Sequence, residues 1–176
     1  MESYKDQNLE KIFLSELERK IIKNIPTQNL LDIFGNETYL IGGAVRDFIF
    51  DKNPNDFDFM SRQSLEETIK KLNDLEYEEC VKEKFQNKKY SIKIDKDSNN
   101  HVLKNGVINL FINDKEIQVG LIGERTLEEL IILGDTNLSC CAFNLFTKKI
   151  INPKIAEEIN NFFRSEEHTS ELQSQR

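Results

Sequence analysis

The chain of 176 residues has few of the residues that mark several classes of protein. It contains no tryptophan, three prolines, two histidines and three cysteines. Cys80, Cys140 and Cys141 are odd in number and lack metal-type spacing, and the adjacent Cys140 and Cys141 fit small buried side chains in a reducing cytosol. A zinc site is disfavoured because only His101 and His168 could join them. No run of about 18 apolar residues occurs, which excludes a transmembrane helix.

The charge of the chain is acidic, with 24 Lys and Arg against 31 Asp and Glu, a net charge of -7 and a pI near 5.0. A protein that holds a nucleic-acid backbone usually shows a basic face. Here the basic residues are either clustered locally, or most of the contact with a nucleic acid lies outside this chain. The basic clusters at residues 82–89 and at Lys148 and Lys149 fit solvated loops. The polar, acidic start MESYKDQNLEK is not a secretory signal, so we expect a cytoplasmic protein.

Periodic patterns predict the helices and strands. Apolar residues at helical spacing predict a first helix over residues 9–23, which Pro26 ends, and Ser64 with Glu67 forms a capping box. The other predicted helices span residues 27–34, 45–50, 64–75, 126–133 and 154–163. The predicted strands span residues 39–41, 56–60, 90–94, 107–112, 116–122, 143–146 and 150–151. Residues 95–106 are polar and predict a loop.

The order of these elements predicts the fold class. Strands and helices alternate irregularly, and turn residues at 113–115 and 147–149 indicate two hairpins. Hairpins are incompatible with a strictly parallel sheet. The sequence therefore predicts an α+β fold, a mixed β-sheet with flanking helices, preceded by N-terminal helices.

Two aspartates in the segment DFDF are the strongest candidates for a metal site. On a strand, Asp56 and Asp58 point to the same face, about 6–7 Å apart along the chain, while Phe57 and Phe59 enter the core. Paired carboxylates repel one another unless a cation lies between them, and hard carboxylate oxygens suit Mg²⁺. The alternative is an exposed strand with two solvated aspartates.

A glycine pair precedes these aspartates and is suited to bind phosphate. Gly42 and Gly43 follow a short apolar strand and lead into a helical segment, so their backbone N–H groups can approach a triphosphate closely. The helix dipole favours an anion there, and Arg46 lies one turn further on, where its guanidinium can reach a phosphate oxygen. The alternative is a simple Gly-Gly turn beside a surface arginine.

In combination, these residues resemble a known signature. The pattern Gly-Gly-x-Val-Arg-Asp, followed by Asp-x-Asp, resembles that of the class II tRNA nucleotidyltransferase and poly(A) polymerase family, strongest over residues 40–60. The resemblance implies a nucleotidyltransferase head domain with a polymerase β-like fold. It implies template-independent transfer of CMP or AMP from CTP or ATP to an RNA 3′-end, most naturally that of tRNA.

The resemblance also implies the roles of individual residues. Gly43 and Arg46 match the positions that bind the incoming CTP or ATP. Asp56 and Asp58 match the positions that bind Mg²⁺ and carry catalysis. Asp47 matches the family's aspartate and is interpreted as helping to hold the loop or the nucleotide sugar.

Departures from the family pattern follow downstream. Asp135 and Ala142 fit a second motif, but Leu133 and Gly134 lie in place of its arginine pair and Ser139 in place of an asparagine. Asn152, followed by proline, replaces an aspartate. The missing arginines remove positive charge that would help to hold phosphates, which weakens the expectation of ordinary CCA addition.

The hairpin and the end of the chain also differ. A further carboxylate is expected on the strand beside the two aspartates, where Gln118 is neutral; Glu116 shares its face and is either a substitute or an ordinary strand residue. The nucleotide-selecting neck motif, Glu-Asp-x-x-Arg, does not occur before residue 163.

The chain divides into three predicted parts. Residues 1–37 form an N-terminal helical extension, and residues 38–163 form the nucleotidyltransferase head domain. Residues 164–176, RSEEHTSELQSQR, are polar and aperiodic and predict a disordered tail. Their letters resemble the translation of a sequencing adapter, so we exclude them from functional arguments.

Two further hypotheses compete with the catalytic one. The altered residues Gly134, Ser139 and Gln118 are compatible with a degenerate head domain that binds a nucleotide or a partner without catalysis. A stand-alone small nucleotidyltransferase is the other alternative, although such proteins usually carry Gly-Ser where this chain has Gly-Gly.

Overall fold

A β-sheet of eight strands forms the centre of the part that a computed structural model describes, residues 4–80, 88–125, 129, 141–152 and 161. Its helices are α1 (Tyr4–Asn24), α2 (Thr27–Phe34), α3 (Gly43–Ile49), α4 (Leu65–Asp74) and α5 (His101–Asn105). Its strands are β1 (Thr38–Ile41), β2 (Phe57–Ser61), β3 (Glu78–Glu79), β4 (Lys89–Lys93), β5 (Val107–Ile112), β6 (Lys115–Leu121), β7 (Ala142–Asn144) and β8 (Lys149–Ile151). None of the described helices is long and apolar enough to cross a membrane.

The strand order is β3-β4-β5-β6-β2-β1-β7-β8, and the sheet is mixed. β2 runs parallel to β6, and β3 runs parallel to β4, whereas the other neighbouring strands pair antiparallel. The predicted α+β class with a mixed sheet and flanking helices is therefore confirmed.

Local signals explain several element boundaries. The Ser64 hydroxyl accepts a hydrogen bond from the Glu67 N–H at the start of α4, as the capping box predicts. Gly35 ends α2 with a φ of 77°. Asn113 and Asp114 join β5 to β6 with φ values of 50° and 61°, the left-handed conformation of a two-residue hairpin turn.

One prediction about local structure is wrong, and one short strand was not predicted. Residues 95–106 are not all loop, because α5 lies within them. The Asn100 side chain accepts hydrogen bonds from Val102 and Leu103 N–H, and Val102 packs so closely on Gly120 that a Cβ at Gly120 would lie 2.4 Å from it. The two-residue strand β3 was not predicted, because its pairing with β4 is not encoded in a local pattern.

Other predicted segments lie outside the description. Apart from Glu129 and Asn161, the predicted helices over residues 126–133 and 154–163 fall outside the described residues, as does the tail over residues 164–176.

Strand β2 begins at Phe57, so Asp56 lies immediately before it.

The hydrophobic core lies on one face of the sheet. Its largest fully buried side chains include four phenylalanines, Phe34, Phe48, Phe59 and Phe143. Leu17 of α1 belongs to the same buried cluster. The first helix therefore packs on the sheet as part of this larger cluster, while a smaller cluster lies around Ala142.

Polar contacts also hold α1 against the sheet. The Lys115 ammonium lies 4.8 Å from the centroid of the Phe57 ring and donates a hydrogen bond to the carbonyl of Asn24, the last residue of α1. Glu18 forms an ion pair of 3.1 Å with Lys149 at the far edge. Lys115 therefore joins the end of α1 to the strand that carries Asp58.

We expect Lys115→Met to lower the free energy of unfolding by about 1 kcal/mol. The variant loses the cation–π contact with Phe57 and the cation at a helix C-terminus, each worth roughly 0.5–1 kcal/mol. Urea denaturation of both proteins measures the difference. Lys70→Met, on the exposed face of α4, is the control; equal losses in both variants would contradict the role of Lys115.

Candidate active site

The turn between β1 and α3 has a conformation that depends on glycine. Gly42 has φ 66° and ψ −132°, a combination that residues with a Cβ rarely adopt. Helix α3 starts at Gly43, and its apolar side chains, including Val45 and Phe48, are buried in the core. The buried side chains of α3 therefore fix the turn on the core side, while no atom beyond its chain neighbours lies within 4 Å of the position that a Cβ on Gly42 would occupy.

Arg46 lies over this turn and is oriented by its neighbour. Its Nε and Nη2 atoms donate to Oδ1 of Asp47 at 3.0 and 2.8 Å. Its Nη2 atom lies 3.3 Å from the position that a Cβ on Gly43 would occupy. The guanidinium is thus held above Gly43, and the structure places Asp47 as its partner.

We expect Gly42→Ala and Gly43→Ala to have different effects. Alanine at Gly42 meets no neighbouring atom but strains the backbone, so it should cost about 1–3 kcal/mol of stability. Alanine at Gly43 has no such strain and instead displaces the Arg46 side chain. Thermal unfolding together with calorimetric titration of CTP and ATP separates the two effects. We expect weaker binding of CTP and ATP by Gly43→Ala. A Gly42→Ala protein as stable as the wild type, or a Gly43→Ala protein with unchanged nucleotide affinity, would contradict this account.

Asp58 lies on the face of β2 opposite to the core, and Asp56 immediately precedes the strand. Phe57 and Phe59 are 8% and 2% exposed, whereas both aspartates are exposed, as the alternation of the strand predicts. Although water reaches Asp58, partial burial of its carboxyl raises its pKa, and the negative charge of Asp56 raises it further. Two carboxylates close enough to affect one another in this way suit a bound cation.

The neighbouring strand supplies amides at the level of Asp58. Gln118 on β6 pairs with Asp58 in the parallel ladder, and Asn109 on β5 pairs with Gln118. The Gln118 Nε2 atom donates to Asn109 Oδ1 at 2.9 Å. Glu116, two residues before Gln118, is exposed on the same face.

The carboxylates near the site suit a magnesium ion that keeps water ligands. In the described parts of the chain, no three His, Cys, Asp or Glu side chains are close enough together to hold a metal ion. Magnesium is commonly bound through one or two carboxylates, together with waters and substrate phosphates. Asp56 and Asp58 fit that arrangement.

Other residues singled out from the sequence lie differently. Residues 134–140 fall outside the described residues, but Ala142 pairs with Ile41, next to the strand end that leads to Gly42. Lys148 and Lys149 belong to the β7–β8 hairpin, whose turn lies at the other end of β1. The structure therefore does not bring this basic pair to the aspartates.

Asn109 is a neighbour of the candidate site that the sequence analysis did not single out. It is the one polar residue of β5, between Ile108 and Leu110. Alternation within β5 puts it on the same face as the apolar Val107 and Phe111, so no local pattern singles it out. Its partner Gln118 is defined only by the register of the hairpin.

Comparison with known proteins finds one family profile that part of the chain matches, and solved structures with a similar fold. The family profile for the Poly A polymerase head domain matches residues 38–119, which include the glycine pair and both aspartates. No curated protein matches the chain by sequence.

Several solved structures share the fold. The Thermotoga maritima CCA-adding enzyme complexed with tRNA_CCA is similar, with 18% identity and a TM-score of 0.50, over 78% of this chain and 31% of that one. The apo form I of a CCA-adding enzyme has 17% identity and a TM-score of 0.52, over 82% and 34%. A CCA-adding enzyme with ATP has 16% identity and a TM-score of 0.50, over 82% and 35%. The chain spans about a third of the length of these proteins.

Proposed function

We propose, from the premise that residues 38–119 are a poly A polymerase head domain, that this chain transfers CMP or AMP from CTP or ATP to the 3′-end of an RNA. The observation that carries the proposal is the pair of exposed carboxylates of Asp58 on β2 and of Asp56 immediately before it, next to the strand that leads into the Gly42 turn. We propose that the transfer needs no template, as the resemblance over residues 40–60 implies.

The geometry supports a separate role for each group of residues in the site. Backbone N–H groups at Gly42 and Gly43, together with the Arg46 guanidinium, would hold the triphosphate. Asp56 and Asp58 would hold Mg²⁺, which when bound supplies positive charge to the α-phosphate and the departing pyrophosphate. Asp47 keeps Arg46 in place through its two hydrogen bonds.

In the transfer step, the RNA 3′-hydroxyl releases its proton to water, and its oxygen attacks the α-phosphorus of the nucleotide. A new phosphodiester bond forms as the bond to the bridging oxygen breaks, and pyrophosphate leaves from the opposite side. The residues of the chain act by positioning and by charge, because phosphoryl transfer needs little covalent participation from the protein.

We further propose tRNA as the RNA substrate, supported by the fold shared with a CCA-adding enzyme that was solved with tRNA. Residues 38–163 are proposed as the head domain and residues 1–37 as an extension, of which α1 packs into the core of the head. The acidic net charge of -7 agrees with an RNA-binding surface of which this chain provides only a part.

A second candidate is a head domain that binds nucleotide without transferring it. The neutral Gln118 at the level of Asp58 favours it, because this position adds no charge to a metal site. Incubation of the chain with Mg²⁺, labelled CTP or ATP and an RNA oligonucleotide tests both candidates. Stepwise extension of the RNA supports transfer, whereas calorimetric binding of the nucleotides without extension supports the second candidate. A chain that shows no nucleotide binding and no RNA extension would contradict both candidates.

A further inference from the structure

The order of strands around the metal site defines two sides. The proposed triphosphate site lies on the β1 side of β2, because Gly42 and Gly43 follow β1 directly. On the other side of β2 lie β6 and then β5. These two strands present Gln118 and Asn109 on the same face as Asp58.

In-line transfer assigns the RNA to one of these sides. The attacking oxygen and the departing pyrophosphate lie on opposite sides of the α-phosphorus. If the pyrophosphate leaves towards β1 and α3, the 3′-oxygen approaches from the side of β6. The ribose that carries this oxygen then lies over β6, and its 2′-hydroxyl is attached to the adjacent carbon.

Gln118 is the polar side chain of β6 that lies level with Asp58. Paired strands are separated by about 4.8 Å, so Gln118 is within reach of a ribose whose 3′-oxygen is at the metal site. The hydrogen bond to Asn109 uses one amide N–H of Gln118 and restricts the rotation of the amide. The amide oxygen and the second amide hydrogen can then interact with a hydroxyl, which both donates and accepts.

We propose that Gln118 binds the 2′-hydroxyl of the terminal ribose of the acceptor RNA and that Asn109 is its positioning residue. The proposal rests on the proposed function for the location of the 3′-oxygen. It predicts that the chain distinguishes a terminal ribonucleotide from a terminal deoxyribonucleotide, because the 2′-hydroxyl is the group that separates RNA from DNA at one position.

The test compares two fluorescent RNA oligonucleotides that differ only in the 2′-group of the last nucleotide. Fluorescence anisotropy with the full chain, Mg²⁺ and a non-hydrolysable CTP analogue measures both dissociation constants. We expect about 3–10-fold tighter binding of the ribose form, the range for one net hydrogen bond. Gln118→Ala should lower this ratio to about one, and Asn109→Ala should lower it partly.

Gln28→Ala is the matched control, because it removes another exposed glutamine that also bonds to a neighbouring side chain, at 2.8 Å on α2. It should keep the wild-type ratio. Equal binding of the two RNAs by the wild-type chain, no binding of either, or an unchanged ratio in Gln118→Ala would overturn the proposal. Extension of the ribose form is measured in parallel: transfer without discrimination rejects the inference alone, whereas discrimination without transfer rejects the proposed catalysis alone.

Discussion

The Asp58→Asn variant should lose nucleotide transfer by about a thousandfold or more. The exchange keeps the size of the side chain but removes the negative charge that would hold Mg²⁺. Metal stabilisation of the transferring phosphoryl group is worth several kcal/mol, and each 1.36 kcal/mol corresponds to a tenfold change in rate. Asp56 lies two residues before Asp58. Its carboxylate therefore cannot replace the charge lost at Asp58, which lies level with Gln118.

Labelled CTP or ATP incorporated into an RNA oligonucleotide measures this loss, and Mn²⁺ binding followed by electron paramagnetic resonance measures the metal site separately. Asp114→Asn is the matched control, since it removes the same charge at the exposed β5–β6 turn, where the φ of 61° suits asparagine. Undiminished incorporation by Asp58→Asn would reject the assignment of the site. Equal losses in both variants would indicate a general effect of charge.

The Phe59→Ala variant should lose about 3–5 kcal/mol of stability. Phe59 is 2% exposed and lies in the core directly behind Asp58 on β2. Truncation of a buried phenylalanine removes its apolar contacts and leaves a cavity that the core fills only in part. Because single domains are stable by roughly 5–15 kcal/mol, the variant should be close to unfolding at 37 °C.

Chemical denaturation followed by circular dichroism measures this effect, and Phe146→Ala provides the control. Phe146 is 56% exposed in the β7–β8 turn, so its removal should change the free energy of unfolding by less than about 0.5 kcal/mol. A small loss in Phe59→Ala would contradict the described core. A large loss in Phe146→Ala would mean that this ring is covered in solution.

Much of the local structure could be predicted from the sequence because its signals are short in range. The helix that Pro26 ends, the cap at Ser64 and the alternation around Asp58 each depend on residues within a few positions of one another. Helix α5 was missed because Asn100 and Gly106 are cap residues that also occur in loops. Its contact with Gly120 supplies the deciding information.

The sequence by itself determined the class of fold and the segment that holds Gly42, Arg46 and Asp58, because these residues lie close together in the chain and local geometry relates them. Only the tertiary structure decided what surrounds Asp58. The family resemblance already put Gln118 on the neighbouring strand, but the parallel pairing of β2 with β6 sets it level with Asp58, and the hairpin register adds Asn109. Such pairing depends on which buried faces pack together across the whole sheet, and no local pattern specifies it.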